Sequence, residues 1–124
     1  MGTSYAEVRG MRVIARSTLT TFVETLSGTK QQLAVKAALD AWFHETERAD
    51  WRTPAEVKKN YATASIVDRE RVVFNIKGNA YRLVTAIDYR RRRSVFIEWP
   101  GSHAEYDEID VRKVRYGDQA YQKH

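Results

Sequence analysis

The chain has 124 residues, a length typical of one domain, and its 43% apolar content excludes an intrinsically disordered protein. It contains no cysteine, which excludes disulfides, thiolate zinc sites and a cysteine nucleophile, and no apolar run approaches the ~20 residues of a membrane span. Its 21 Lys and Arg exceed its 16 Asp and Glu by five; this excess and the lack of a leader pattern predict a cytoplasmic protein that binds polyanions.

The first ten residues show no clear periodicity, and we expect a flexible N-terminal extension over residues 1–10. Either Met1 or Met11 is then the native start. No repeat, low-complexity stretch or linker follows, so residues 11–124 are expected to form one domain. Within this domain, the alternation from Met11 to Ala15 predicts a short first strand.

Three helices are predicted next. Ser17 is the expected N-cap of a first helix that ends at Gly28, and a longer helix begins at about Thr29. The Thr53-Pro54 pair is typical of a helix start and predicts a third, short helix that ends near residue 60. The second helix has a broad apolar face that comprises Leu33, Ala37, Leu39, Trp42 and Phe43.

From residue 66 the apolar period changes to two, which predicts three strands. Residues 78–79 and 89–94 supply the two turns of an antiparallel meander. Because helices come first and the meander comes later, the order indicates an α+β domain with helices on one face of the sheet.

The C-terminal part is predicted to be less regular. Pro100-Gly101 is expected to end the last strand, and Ser102 is expected to cap a short helix over residues 103–109. The tail after Val111 is polar and basic.

The positive charge is concentrated in one block, because residues 52–93 hold eleven basic and four acidic side chains. Such a block favours nucleic acid as a partner. Its densest part is the run Arg90-Arg91-Arg92-Arg93, which has two interpretations. It is either a solvated loop or a surface for phosphate contact without sequence preference.

Four residues in and after this block have side chains that can act on a phosphodiester: Lys77, Arg82, His103 and Tyr106. Cleavage of RNA by its own 2′-OH needs a base, an acid for the leaving 5′ oxygen, and cations on the phosphorane. Histidine suits either proton transfer, and arginine matches two phosphate oxygens. Arg82 shares a sheet face with Asn75 or Lys77 only if the register of the intervening turn permits it.

An acidic turn follows His103 and comprises Glu105, Asp107, Glu108 and Asp110. Paired carboxylates are ligands for divalent cations. Acidic residues near a helix N-terminus are also favoured by the helix dipole, which explains them without a metal. We therefore expect neither a metal site nor a cofactor.

Two segments carry a resemblance to a known family: RVVFNIKGNAYRLV at residues 71–84 and GSHAEYD at residues 101–107. Together they resemble the HigB toxins of the RelE superfamily, and the similarity extends from Met11 over nearly the whole chain. The resemblance implies a RelE-like fold: an antiparallel sheet with N-terminal helices packed on one face and a short C-terminal helix. It also implies the toxin of a type II toxin–antitoxin system, an endoribonuclease that cuts messenger RNA in the ribosomal A site without a metal.

The resemblance further implies partners and site residues. The partners would be the ribosome, its messenger RNA and a HigA-like helix-turn-helix antitoxin, with which the toxin forms a hetero-oligomer. Arg82 stands where the family has an arginine at the scissile phosphate, and Lys77 matches an assisting lysine. His103 and Tyr106 would transfer protons or stack. The remaining expected site residues orient the site or bind RNA: Glu105, Asn75, Asn79, Arg90, Arg91, Arg92 and Arg93.

Two functions of other classes stay open. The basic block alone suffices for a non-catalytic module that binds RNA or the ribosome and blocks translation. A structural adaptor that meets only another protein is the third alternative.

Overall fold

The computed structural model describes residues 10–115. Nine elements follow one another along the chain: β1 (Arg12–Ile14), α1 (Arg16–Thr25), α2 (Gln32–Arg48), α3 (Pro54–Asn60), β2 (Ser65–Ile66), β3 (Arg71–Ile76), β4 (Tyr81–Asp88), β5 (Ser94–Ser102) and α4 (His103–Tyr106). The α+β class is thus confirmed. Residues 1–9 of the expected extension and residues 116–124 lie outside the described residues, and the single domain over 11–124 stays a prediction.

The five strands form one sheet in the order β1-β5-β4-β3-β2. Strands β3, β4 and β5 pair antiparallel, as the meander prediction requires. The expected antiparallel sheet also contains one parallel pairing, because β1 lies parallel to β5, with Arg12 opposite Ser94. The sheet is therefore mixed, and its two-residue edge strand β2 is too short to show a period in the sequence.

Strand β5 does not end before Pro100, as was expected, but continues through Gly101 to Ser102. Beyond Phe96 this strand is paired with β4 alone, because β1 reaches only that far. Proline lacks a backbone N–H and is tolerated at such a local edge. The extra length carries the chain directly into α4.

The main core lies where α1 and α2 meet the sheet. Trp42 of α2 packs edge to face on Phe74 of β3, with ring centroids 5.4 Å apart. Burial of a large apolar side chain of this kind stabilises the fold by about 1.5–3 kcal/mol. Leu33, assigned by its spacing to the apolar face, is 80% exposed, and Val35 is buried in its stead.

A second, smaller cluster lies on the other sheet face and consists of Val73, Val84, Trp99 and Val114. Val114 shows that the chain after Val111 is not a purely polar tail. Arg71 of β3 fixes this segment, because its guanidinium donates to the carbonyls of Val111 and Val114 at 2.8 and 2.6 Å.

The helix starts differ in how well the sequence predicts them. Thr53 caps α3 as expected, and its hydroxyl accepts a hydrogen bond from the N–H of Glu56 at 3.3 Å. Ser17 does not cap α1, because the helix begins two residues earlier than expected, at Arg16, after Ala15 in a left-handed conformation with φ of 72°. Among the described residues, no helix is long and apolar enough to cross a membrane.

Candidate functional site

Arg82 lies at the start of β4, beside the turn that joins β3 to β4. Its Nη1 donates to the carbonyls of Asn79 and Tyr81 at 3.0 and 3.2 Å, and its Nη2 donates to Oδ1 of Asn79 at 2.8 Å. A guanidinium has five N–H donors. These three hydrogen bonds occupy three of the donors, and Nε–H and one Nη2–H remain for a ligand.

The register answers the question that the sequence left open. Asn75 of β3 lies directly opposite Arg82, so the two residues share one sheet face. Lys77 follows the end of β3 in a left-handed conformation with φ of 53°, and its exposed ammonium makes no hydrogen bond or ion pair with the described residues. The turn thus brings an amide, a guanidinium and a free ammonium to one end of the sheet.

His103 reaches the same end of the sheet because β5 runs directly into α4. Its backbone N–H donates to the carbonyl of Ala80 at 2.9 Å, next to Arg82. Its Nε2 lies 3.7 Å from Oδ1 of Asp107, and the side chain is about half exposed, at 44%. Asp107 had no individual role in the sequence prediction, although its i+4 spacing from His103 was a usable signal.

Tyr106 packs between Arg82 and Trp99. Its ring centroid lies 5.8 Å from Cζ of Arg82, within range of a cation–π interaction, and 6.3 Å from the ring of Trp99. Burial is the main cause that raises the pKa of the Tyr106 phenol; Arg82 opposes this effect and Asp107 adds to it. Tyr106 is therefore a neutral phenol at physiological pH.

The packing of Trp99 requires a glycine at position 101. Gly101 pairs with Arg82 across β4 and β5, and a Cβ at this position would overlap the six-membered ring of Trp99. The sequence prediction treated Gly101 only as a strand breaker. Its actual role is to let Trp99 lie flat next to the strand that carries Arg82.

Glu105 is placed by the structure in the cap of α4. Its Oε1 accepts a hydrogen bond from the N–H of Ser102 at 2.9 Å, while its own N–H donates to the hydroxyl of Ser102 at 3.1 Å. This reciprocal pair is a capping box. The carboxylate thus holds the helix that carries His103 and Tyr106.

The four consecutive arginines are not equivalent. Arg93 donates to the carbonyl of Tyr89 at 2.7 Å, to the carbonyl of Trp51 and to the carboxylate of Asp50, and its side chain is only 23% exposed. Arg90, Arg91 and Arg92 are exposed. Arg93 is thus a structural residue, and three arginines remain for contact with a ligand.

The structure does not bring the arginine run to Arg82. Arg82 lies near one end of β4, and the run follows Asp88 at the other end. At ~3.3 Å per residue, the six residues from 82 to 88 span about 20 Å. We call Asn75, Asn79, Arg82, His103 and Tyr106 the Arg82 cluster, which is separate from the arginine run.

The Arg82 cluster has the groups that act on a phosphodiester: a guanidinium with open donors, an imidazole and a neutral phenol. Among residues 10–115, no group of three or more His, Asp or Glu side chains is arranged to hold a metal ion.

A family model described as HigB_toxin, the RelE-like toxic component of a toxin-antitoxin system, matches residues 35–109. The matched span covers more than half of the chain and includes the whole Arg82 cluster. No curated protein matches the chain.

Proposed function

The chain belongs to the HigB toxin family, the RelE-like toxic component of a toxin-antitoxin system, and on this premise we propose that it is an endoribonuclease that cleaves messenger RNA in the ribosomal A site. The observation that carries the proposal is the Arg82 cluster. It combines open guanidinium donors with an imidazole and a phenol at one end of the sheet.

The reaction uses the 2′-OH of the RNA as nucleophile. A base removes its proton, the oxygen attacks the adjacent phosphorus, and the bond to the 5′ oxygen of the next nucleotide breaks as an acid protonates that oxygen. The products are a 2′,3′-cyclic phosphate and a 5′-OH. No metal is needed for this route, because Arg82 and the free ammonium of Lys77 stabilise the negative charge of the phosphorane.

The proton transfers are divided between two residues. A tyrosine phenol is protonated at physiological pH, and burial raises the pKa of Tyr106 further, so Tyr106 donates its O–H or stacks on a base. His103 is therefore the base that accepts the 2′-OH proton, and Asp107 at 3.7 Å orients its imidazole. Asn75 and Asn79 contact the RNA or hold Arg82 towards it.

The partner of the toxin is an antitoxin, as the family description implies. We propose a HigA-like protein with a helix-turn-helix, encoded beside the toxin, that forms a hetero-oligomer with it in the cytoplasm, where ribosomes translate. Sequencing of the adjacent reading frame and copurification of its product with the tagged toxin test this part.

The test of the enzyme is expression of R82A and H103A in growing cells, followed by primer extension on messenger RNA. Both variants are expected to lose new 5′ ends and growth arrest, because each removes a group that acts on the phosphodiester. R12A is the matched control, since Arg12 is an exposed arginine on the edge strand β1, two strands away from β4. Undiminished cleavage by both variants at equal protein levels would contradict the assignment.

The second candidate is a non-catalytic module that binds RNA or the ribosome. The exposure of Arg90, Arg91 and Arg92, about 20 Å from the Arg82 cluster, favours it, because phosphate contact there needs no catalyst. Primer extension separates the two functions. A binding module stalls translation without new 5′ ends, and R82A would leave its toxicity intact.

A further inference from the structure

A groove of about 690 Å³ lies at the end of β4 that is remote from Arg82. Five parts of the chain contribute to it: the segment before α3, the turn before β3, the end of β4, the β4–β5 loop and β5 itself. We call it the arginine groove and define it by Arg52, Arg69, Arg90, Arg91, Arg92 and Phe96.

The groove is strongly basic. Five arginines line it, against two carboxylates, Glu70 and Asp88. The carboxylate of Asp88 is already used within its own loop, because it accepts the backbone N–H groups of Arg90 and Arg91 at 3.2 and 3.0 Å. Guanidinium groups bind phosphate oxygens in pairs, so the lining suits a ligand with several phosphates.

Phe96 gives the groove an aromatic surface. It lies opposite Ala86 in the register of β4 and β5, and its ring is partly exposed. A small alanine beside it leaves the ring available to a ligand. Arginines around an exposed aromatic ring are the combination that binds single-stranded nucleic acid, where bases stack and phosphates pair with cations. An acidic peptide would need the arginines only.

We propose that the arginine groove is a second RNA-binding site, which takes single-stranded RNA with a base stacked on Phe96 and its phosphates on Arg52, Arg69 and the β4–β5 loop. The choice of RNA rests on the proposed function. The site lies about 20 Å from Arg82 along β4, so one strand that fills both sites spans several nucleotides. The groove therefore adds affinity at a distance from the scissile bond.

The experiment measures the binding of a short fluorescent oligouridylate by anisotropy, with every variant made in the full-length R82A protein so that the RNA stays intact. R52Q/R69Q is expected to bind about tenfold more weakly and to lower the slope of log affinity against log salt by about 1.4, from ~0.7 for each lost phosphate contact. K30Q/K36Q is the matched control, because it removes two exposed positive charges that do not line the groove.

The stacking is tested by F96A and F96L. F96A is expected to weaken binding about five- to hundredfold, as loss of one stacked base does. F96L retains an apolar side chain without a flat ring, so it is expected to bind nearly as weakly as F96A. Thermal unfolding identifies any variant that has lost its fold, and F96L then replaces F96A as the decisive protein.

Three results would overturn the proposal: unchanged binding in R52Q/R69Q, unchanged binding in both Phe96 variants, or displacement of the RNA by polyglutamate at equal charge concentration. The proposed function fails separately, because absence of new 5′ ends with the wild-type toxin contradicts cleavage and leaves RNA binding untouched. New 5′ ends together with unchanged oligonucleotide binding would overturn the groove alone.

Discussion

Asn79 holds the guanidinium of Arg82 with two different atoms, its carbonyl oxygen at 3.0 Å and its side-chain Oδ1 at 2.8 Å. Both contacts come from the turn that precedes β4, so Arg82 is directed by a residue three positions before it. Asn79 therefore acts through Arg82, in addition to any contact of its own with RNA.

Replacement of Asn79 tests this relationship. N79A is expected to lower cleavage about tenfold, because one hydrogen bond to a charged group is lost and Arg82 gains freedom. Ribosomal cleavage is measured for N79A, R82A and the double variant. If Asn79 acts only through Arg82, the double variant equals R82A, whereas additive losses would show an independent contact with the RNA.

Two substitutions of Glu105 distinguish its role in capping α4 from a role in catalysis. Glutamine also forms a capping box, so E105Q is expected to keep both the fold and the cleavage activity. E105A is expected to lose about 0.5–2 kcal/mol of unfolding free energy, measured with urea, because the Ser102 N–H loses its acceptor. A large loss of cleavage in a stable E105Q would instead show that the carboxylate takes part in the reaction.

Arg93 is expected to differ sharply from its neighbour Arg92. R93A removes the donor that holds two carbonyls and Asp50, so we expect a loss of about 2–3 kcal/mol in urea denaturation. R92A changes an exposed arginine and is expected to stay within about 0.5 kcal/mol of wild type. Equal stability of the two variants would refute the structural role of Arg93.

Gly101 is expected to tolerate no side chain. G101A forces the new Cβ against Trp99 and is expected to lower stability by about 1–3 kcal/mol, and to lower cleavage because Tyr106 packs on the same ring. W99F/G101A has a smaller ring and is expected to recover part of the lost stability. No recovery would mean that another contact limits position 101.

The pH dependence of stability has one assignable contribution in the β4–β5 loop. The N–H of Arg91 is the main cause that lowers the pKa of Asp88, so the folded state favours the carboxylate. The stabilisation is present above the unfolded-state pKa of about 4 and is lost as pH falls through the lowered folded-state value. The difference in Tm between wild type and D88N should therefore shrink below about pH 4. A difference that does not shrink as the pH falls would contradict this contribution.

Local signals in the sequence predicted much of this fold. Thr53 caps α3 because its hydroxyl needs only the next turn, and β3 and β4 alternate because each packs on the core. The pairing of β1 with β5 was beyond such signals, because it joins residues far apart in sequence. Leu33 matches the helical period but lies near the start of α2, where the structure leaves it exposed.

In the candidate site, too, some features are set by neighbouring residues and others by parts of the chain that are distant in sequence. Arg82 opposite Asn75 follows from the turn at residues 78–79, so its register is set locally. The separation of Arg93 from the other arginines depends on Asp50 and Trp51, which come from a distant loop. Likewise, Arg52, Arg69 and Phe96 converge only once the sheet has formed, which is why the sequence showed a basic block and not a groove.

The parallel pairing of β1 with β5 affects when the sheet is fully assembled during folding. Arg12 and Ser94 are separated by 94 − 12 = 82 residues, and contacts between such distant parts of a chain close late in folding. During synthesis β1 leaves the ribosome before the other described strands. It cannot pair with β5 until β5, the last of these strands, has emerged. For a protein proposed to act on ribosomes, this order delays assembly of the sheet until β5 itself has left the ribosome.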